Sequence, residues 1–301
     1  MHYTDKNSLI SKELILNEII CVCCSKDLET WKTSSGFIAK NITANSYIVI
    51  VPDSEVNLFS KCSDPAFLIA PESRYIKASK QWVADHLPDH KKNNAGWYFQ
   101  QLLKISAAKT GSQKDYRLIW DADTVPLKKL NFFSPNGKLI FYKGTEMHAP
   151  YFISIQKLLG LERTANFSFI AQCLAFRSDW VQDLCSEIEL KAGENWIDAI
   201  INSLDLSKEN GFSEYETLGT YFMHHHRDDM LISDQEWYRY GGSMIGNISR
   251  LTTKKATQLS SKYDYIAFES WDVATGLAKL KQQIPFAIIF FIHTINRWIN
   301  K

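Results

Sequence analysis

Tyr116-Arg117-Leu118-Ile119-Trp120-Asp121-Ala122-Asp123-Thr124-Val125-Pro126-Leu127 decides the fold. The first five residues are rich in aromatic and branched side chains and read as a buried strand. Two carboxylates follow at once, and a Val-Pro-Leu stop closes the segment. In open α/β sheets, ligands bind outside the carboxyl ends of the strands. Asp121 and Asp123 therefore stand where a site is expected.

Working outward, the preceding residues alternate strand-like runs with helical stretches, the pattern of a mostly parallel sheet with flanking helices. Residues 18–25 read as a strand, 28–42 as a helix, 46–51 as a second strand stopped by Pro52-Asp53, and 66–69 as a third. A helix is expected over 97–109, with apolar residues at 98, 99, 102, 103 and 105 on one face. Beyond Pro126 the pattern changes. Strands are expected at 138–143 and 168–177, and helices at 151–159, 179–190, 196–204 and 213–225, the last with Ser213 as N-cap. With no repeat and no Pro/Gly/Ser linker, residues 1–283 read as one α/β domain. Residues 284–301 read as a hydrophobic, amphipathic C-terminal helical extension.

Composition bounds the function. The chain has 301 residues, 34 Lys+Arg against 33 Asp+Glu, and a formal net charge of +1, so no overall field draws it to nucleic acid. A hydrophobic fraction of 45% with 13 Gly and 8 Pro argues for a globular chain. Cys21 and Cys24 form a C-x-x-C without a second pair, which does not make a zinc framework; buried thiols in a reducing compartment fit better. No secretory signal pattern opens the chain, and a cytoplasmic location is expected. Neither G-x-G-x-x-G nor G-x-x-x-x-G-K-[ST] occurs, so the dinucleotide and P-loop fingerprints are missing.

Two carboxylates one residue apart at a strand tip can face a hard divalent ion, which takes oxygen ligands and shares its sphere with substrate phosphates. Such an ion neutralises charge developing on a diphosphate leaving group. The 118–127 segment resembles the nucleotide-sugar-dependent glycosyltransferases of the GT-A type, in which a strand carries an Asp-x-Asp (DxD) motif into the donor site. Gly96-Trp97-Tyr98-Phe99-Gln100-Gln101-Leu102-Leu103-Lys104, Glu146-Met147-His148-Ala149-Pro150 and Phe212-Ser213-Glu214-Tyr215-Glu216-Thr217-Leu218-Gly219 are similar to bacterial polysaccharide and lipopolysaccharide glycosyltransferases. The likeness runs over about 96–225. It implies a GT-A-like (Rossmann-like) fold, a Mn2+ or Mg2+ cofactor, a nucleotide-sugar donor with UDP favoured over GDP, and a glycan or lipid-linked acceptor.

Carried over by position, the resemblance makes Asp123 the metal ligand and Asp121 a ligand that also meets the ribose or sugar. His225, within His224-His225-His226, would be a further metal ligand. Gln100, Gln101 and Lys104 offer amides and an ammonium to sugar hydroxyls or phosphate. Ser25 and Asp53 follow the first two strands, where a nucleotide base and ribose would lie. His148 would touch the acceptor, and Glu214 or Glu216 would deprotonate its hydroxyl, which implies inversion. The bland readings are an exposed helix face, turn residues, and acids that favour the helix dipole.

Two rival functions are a metal-dependent phosphoesterase, using Asp121/Asp123 with the 224–229 cluster as a two-metal site, and a carbohydrate-binding module built on the aromatic surplus of 9 Trp, 13 Tyr and 17 Phe. Residues 284–299, IPFAIIFFIHTINRWI, are shorter than the ~20 a spanning helix needs. A helix seated peripherally on the inner membrane face, or one packed on the domain, fits that length.

Overall fold

The structure, a computed structural model, describes residues 14–206 and 210–272. The first half runs β1 (Glu18–Val22), α1 (Leu28–Asn41), β2 (Tyr47–Val51), α2 (Val56–Phe59), β3 (Phe67–Pro71), α3 (Lys80–Asp85), α4 (Ala95–Lys109) and β4 (Tyr116–Trp120). The second half begins with β5 (Thr124–Pro126), β6 (Leu139–Phe141), α5 (Ala149–Leu159), β7 (Cys173–Arg177) and α6 (Ser178–Ala192). It continues with α7 (Trp196–Ser203), α8 (Glu214–His225), β8 (Met230–Ile232), α9 (Gly241–Ile245), α10 (Thr253–Ser260) and β9 (Tyr265–Ala267).

The central sheet has the order β3-β2-β1-β4-β7. The first four strands are parallel, and β7 runs antiparallel to β4 with Trp120 opposite Cys173. β1, β2 and β4 are near-continuous apolar runs because a parallel sheet is covered on both faces; every residue of each but the first is buried. The chain builds leftward from β1 to β3 and then returns to place β4 on the other side of β1. That reversal opens a crevice between the carboxyl ends of β1 and β4. The α/β, mostly parallel architecture expected from the sequence is the one found.

Helix boundaries follow local chemistry. Ser213 caps α8 by accepting from the Glu216 amide at 3.3 Å, as the sequence suggests. α5 and α6 end at Gly160 and Gly193, both left-handed (φ 68° and 70°). Gly219 lets α8 lie against the Phe169 ring, which a Cβ would meet at 2.0 Å.

Three short strands, β5, β8 and β9, lie outside the expected set. The strand expected over 168–177 is confined to Cys173–Arg177: Ser168 exchanges backbone hydrogen bonds with Gly144 (2.7 and 3.1 Å), and the left-handed backbone of Gln172, φ 60°, breaks the extended run before Cys173. Beside the main core, Val125, Ile245, Leu259 and Ile266 belong to a smaller cluster that joins β5 to the segment from α9 to β9. The hydrophobic stretch 284–299, with its expected membrane or packing role, lies outside the described residues. No described helix is long and apolar enough to cross a membrane.

Candidate active site

The turn Asp121-Ala122-Asp123 sits at the tip of β4 and is fixed at four backbone positions. The Asp121 amide donates to the Gln172 carbonyl (2.9 Å), and the Thr124 amide donates to the Asp121 carbonyl (3.0 Å). The buried Ser34 hydroxyl of α1 donates to the Ala122 carbonyl. The Phe268 amide donates to the Asp123 carbonyl (2.9 Å). A turn held from three other parts of the chain presents its carboxylates without reorganising, which is what a preorganised site requires.

Both carboxylates line a cleft of about 1150 Å³ that opens at the β1/β4 crevice. Lys104, from α4, reaches its floor. Its ammonium lies 2.5 Å from Asp121 Oδ1 and 2.7 Å from Glu214 Oε1, with a side chain 6% exposed. Burial alone would lower its pKa, but Asp121 and Glu214 outweigh that and hold it above the ordinary lysine value. The Tyr215 hydroxyl donates to the same Asp121 oxygen at 2.7 Å. The Gln101 side-chain carbonyl accepts from the Glu214 amide at 3.0 Å. α8 thus delivers its first turn to the acid pair.

Asp123 has no such counter-ion among the described residues. Burial holds its carboxyl well above the usual range, Asp121, Glu269 and Asp27 push the same way, and Lys104 opposes them. Glu269 arrives because β9 pairs antiparallel with β5, with Ala267 opposite Thr124. Burial also raises the Glu269 carboxyl, against the pull of Arg239 and with a further push from Asp121. Gln172 donates its side-chain amide to Glu269 (2.8 Å) and takes a left-handed backbone, φ 60°, which non-glycine residues avoid. Arg239 joins Glu269 (2.9 Å) to Glu146 (2.5 Å).

The donor set at the strand tip is all oxygen, and Asp123 within it is paired with no cation among the described residues, so it fits a hard divalent cation. Among the described residues, no three acidic, histidine or cysteine side chains are grouped so as to hold an ion unaided. An ion there would complete its shell with ligand oxygens, as Mg2+ commonly does with substrate phosphates.

Of the residues singled out in the sequence, Gln100, Gln101, Lys104, Asp121, Asp123 and Glu214 line the cleft together. Ser25 instead donates from its amide and hydroxyl to Glu55 (2.7 and 2.5 Å) outside the cleft, while its neighbours Lys26 and Asp27 line it. Asp53 accepts from the Ser73 amide (3.2 Å) and hydroxyl on the surface. His148 is the N-cap residue of α5, with its ring 4.6 Å from that of Tyr151, and lies beside the cleft wall, not in it.

Glu216 points away from the cleft. It accepts from the Ser168 hydroxyl and from the Phe169 amide (3.1 Å), and burial lifts its carboxyl to about 7. Two residues on a helix are turned far apart around its axis, so Glu214 and Glu216 could not both face one cleft. His225 is at the other end of α8, roughly 16 Å of helix rise from Glu214, beside Tyr221 and Glu187. His224 meets the Glu162 carbonyl and His226 stacks on Trp180. The 224–229 cluster therefore forms no second metal centre with Asp121 and Asp123. The distance removes both the expected histidine ligand and the two-metal arrangement of a phosphoesterase.

The sequence reading missed Gln172, Arg239, Glu269 and the aromatic wall at 237–240 and 271. One signal was present: Glu269 follows Tyr265-Ile266-Ala267 as Asp121 follows its strand.

No curated protein matches the sequence. Among solved structures, the chain is similar to a galactosyltransferase, LgtC, in complex with donor and acceptor sugar analogues (8% identity, 83% of this chain and 86% of that one, TM-score 0.47). It is also similar to mouse xyloside xylosyltransferase 1 (6% identity, 86% and 99% covered, TM-score 0.43). A third is the glycosyltransferase GlyE of Streptococcus pneumoniae TIGR4 (10% identity, 95% of this chain and 64% of that one, TM-score 0.42). Residues 31–289 match the model of a family described as a family of unknown function, DUF6492, and the chain belongs to that family.

Proposed function

We propose that the protein is a metal-dependent glycosyltransferase, moving a sugar from a nucleotide-diphosphate sugar to a glycan or lipid-linked acceptor in cell-surface polysaccharide synthesis. The observation that carries this reading is the rigid Asp121-Ala122-Asp123 turn at the switch point of the sheet, with Asp123 crowded by other carboxylates. Along the cleft, Asp and Glu outnumber Lys and Arg eight to four among the described residues. A polyphosphate donor entering such a cleft needs an accompanying cation.

Asp121 and Asp123 would hold Mn2+ or Mg2+, which when bound neutralises charge on the departing diphosphate. Lys104 and Tyr215 keep Asp121 in one orientation. Lys26 and Asp27, at the end of β1, line the part of the crevice suited to the nucleotide, with UDP favoured over GDP. Glu214 is the carboxylate of the expected pair that reaches the cleft, and in this reading it takes the proton from the acceptor hydroxyl. The acceptor oxygen then bonds to the anomeric carbon, and the nucleoside diphosphate leaves with the electron pair of the broken bond, inverting that carbon. The enzyme works in the cytoplasm, peripheral to the inner membrane face through residues 284–301.

Thermal shift with UDP, Mn2+ and both together tests the reading. Stabilisation that needs both, and that is lost in Asp123→Asn, supports it, as does Mn2+-dependent hydrolysis of a member of a nucleotide-sugar panel. Equal stabilisation by UDP with and without metal, unchanged in Asp123→Asn, would overturn it.

A further inference from the structure

Tyr240 and Trp271 line the cleft and remain 47% and 57% exposed. Both are held in place. Trp271 Nε1 donates to Glu269 Oε2 at 3.0 Å, and the Arg239 guanidinium lies 5.5 Å from the Trp271 ring centre. Tyr240 stands edge-on to Trp271, with centroids 5.9 Å apart at 78°. Through Glu269 this pair adjoins the carboxylates around Asp123.

We infer that the Tyr240–Trp271 pair is the platform on which the acceptor sugar lies, and that this acceptor is an uncharged saccharide. The inference rests on the transfer reading and names the substrate class of the same cleft. An aromatic face fixed at a wet rim gains dispersion contact with the C–H face of a pyranose while leaving the hydroxyls free to bond elsewhere. Other groups lining the same cleft suit those hydroxyls: Glu146, Asp234 and Glu236 are acceptors, and a hydroxyl is a donor. Charge excludes an anionic acceptor. Arg239 is engaged by Glu146 and Glu269, Lys143 is paired with Asp234 at 2.5 Å, and the cleft has an excess of acids. Among the described cleft residues, a uronate or phosphate would meet repulsion without an uncommitted guanidinium to receive it. An alkyl chain would desolvate these same carboxylates for no hydrogen bond in return.

The test measures UDP release from the nucleotide sugar that the enzyme turns over with Mn2+, in the presence of p-nitrophenyl hexopyranosides or their hexuronide counterparts. Neutral glycosides should accelerate release and the uronides should not. Trp271→Ala should raise KM for the neutral glycoside about tenfold, equivalent to about 1.4 kcal/mol, with a much smaller change in kcat. Trp271→Phe should keep most of the affinity, and Tyr240→Ala should raise KM without altering thermal stability. A uronide accepted as well as its neutral counterpart, no acceleration by any neutral glycoside, or an unchanged KM in folded Trp271→Ala and Tyr240→Ala would overturn the inference. If the wild-type protein binds no UDP with Mn2+, the transfer reading fails, and the inference falls with it.

Discussion

Replacing Lys104 with methionine keeps the length of the side chain and removes the cation that Asp121 and Glu214 share. The ammonium lies within 2.7 Å of both acids, and its side chain and that of Glu214 are each 6% exposed, Asp121 15%. Breaking a buried pair by removing one partner costs about 3–5 kcal/mol, because the remaining charge has lost its compensation. Asp121 keeps some contact with water, so a value near ~3 kcal/mol is expected, a large part of the ~5–15 kcal/mol that stabilises a typical domain. That corresponds to a fall in Tm of roughly 5 °C for a chain of 301 residues. Thermal unfolding followed by circular dichroism at pH 7 measures it. The double variant Lys104→Met/Glu214→Gln should recover about half, since it removes one of the two stranded carboxylates. A Tm for Lys104→Met within about 2 °C of the wild type would mean that the three groups behave as a solvated surface cluster, and the electrostatic account of the site floor would be wrong.

Three further outcomes are expected. At position 172 the ordinary order of alanine and glycine should reverse: Gln172→Gly, which relieves the left-handed backbone, should be about 1 kcal/mol more stable than Gln172→Ala in urea denaturation, and equal stabilities would remove the claim of strain. Glu216 has its folded pKa raised from 4.5 to about 7 by burial. Its contribution is full below about pH 4.5 and is lost as pH rises through 7, so wild-type stability should fall across that window by up to about 3 kcal/mol. Glu216→Gln should flatten the profile, and parallel curves for the two proteins would refute the assignment. Deleting residues 285–301 should shift the protein from the membrane fraction to the soluble fraction, and unchanged partitioning would discard the membrane role.

The strands beside the crevice were legible because each is a continuous apolar run bounded by polar residues, and β4 announces its own tip with Asp121 and Asp123. Lys104 was legible as a cation on the helix before that tip, although nothing in its spacing shows that it is buried between two acids. β5 and β9 are three residues each, too short for a period to register, so Glu269 was hidden despite its position after a strand. The triple histidine drew attention by its chemistry, but a helix carries its last turn away from whatever its first turn touches, and Glu214 already occupied the cleft end of α8. Arg239, Tyr240 and Trp271 lie in connecting segments whose route over the sheet depends on tertiary packing, which local pattern does not encode.

The pairing of β5 with β9 has a consequence for how the protein is made. The two carboxylates of the β4 turn are synthesised well before Glu269, and β9 must travel back across the sheet to lie beside β5. Such long-range closure is among the later events of folding, since the loop entropy is spent before the contact forms. A chain cut short between α10 and β9 could therefore build the whole parallel sheet and still lack Glu269, one of the four carboxylates gathered at the β4 tip, which makes the last strand a checkpoint separating folded protein from competent enzyme.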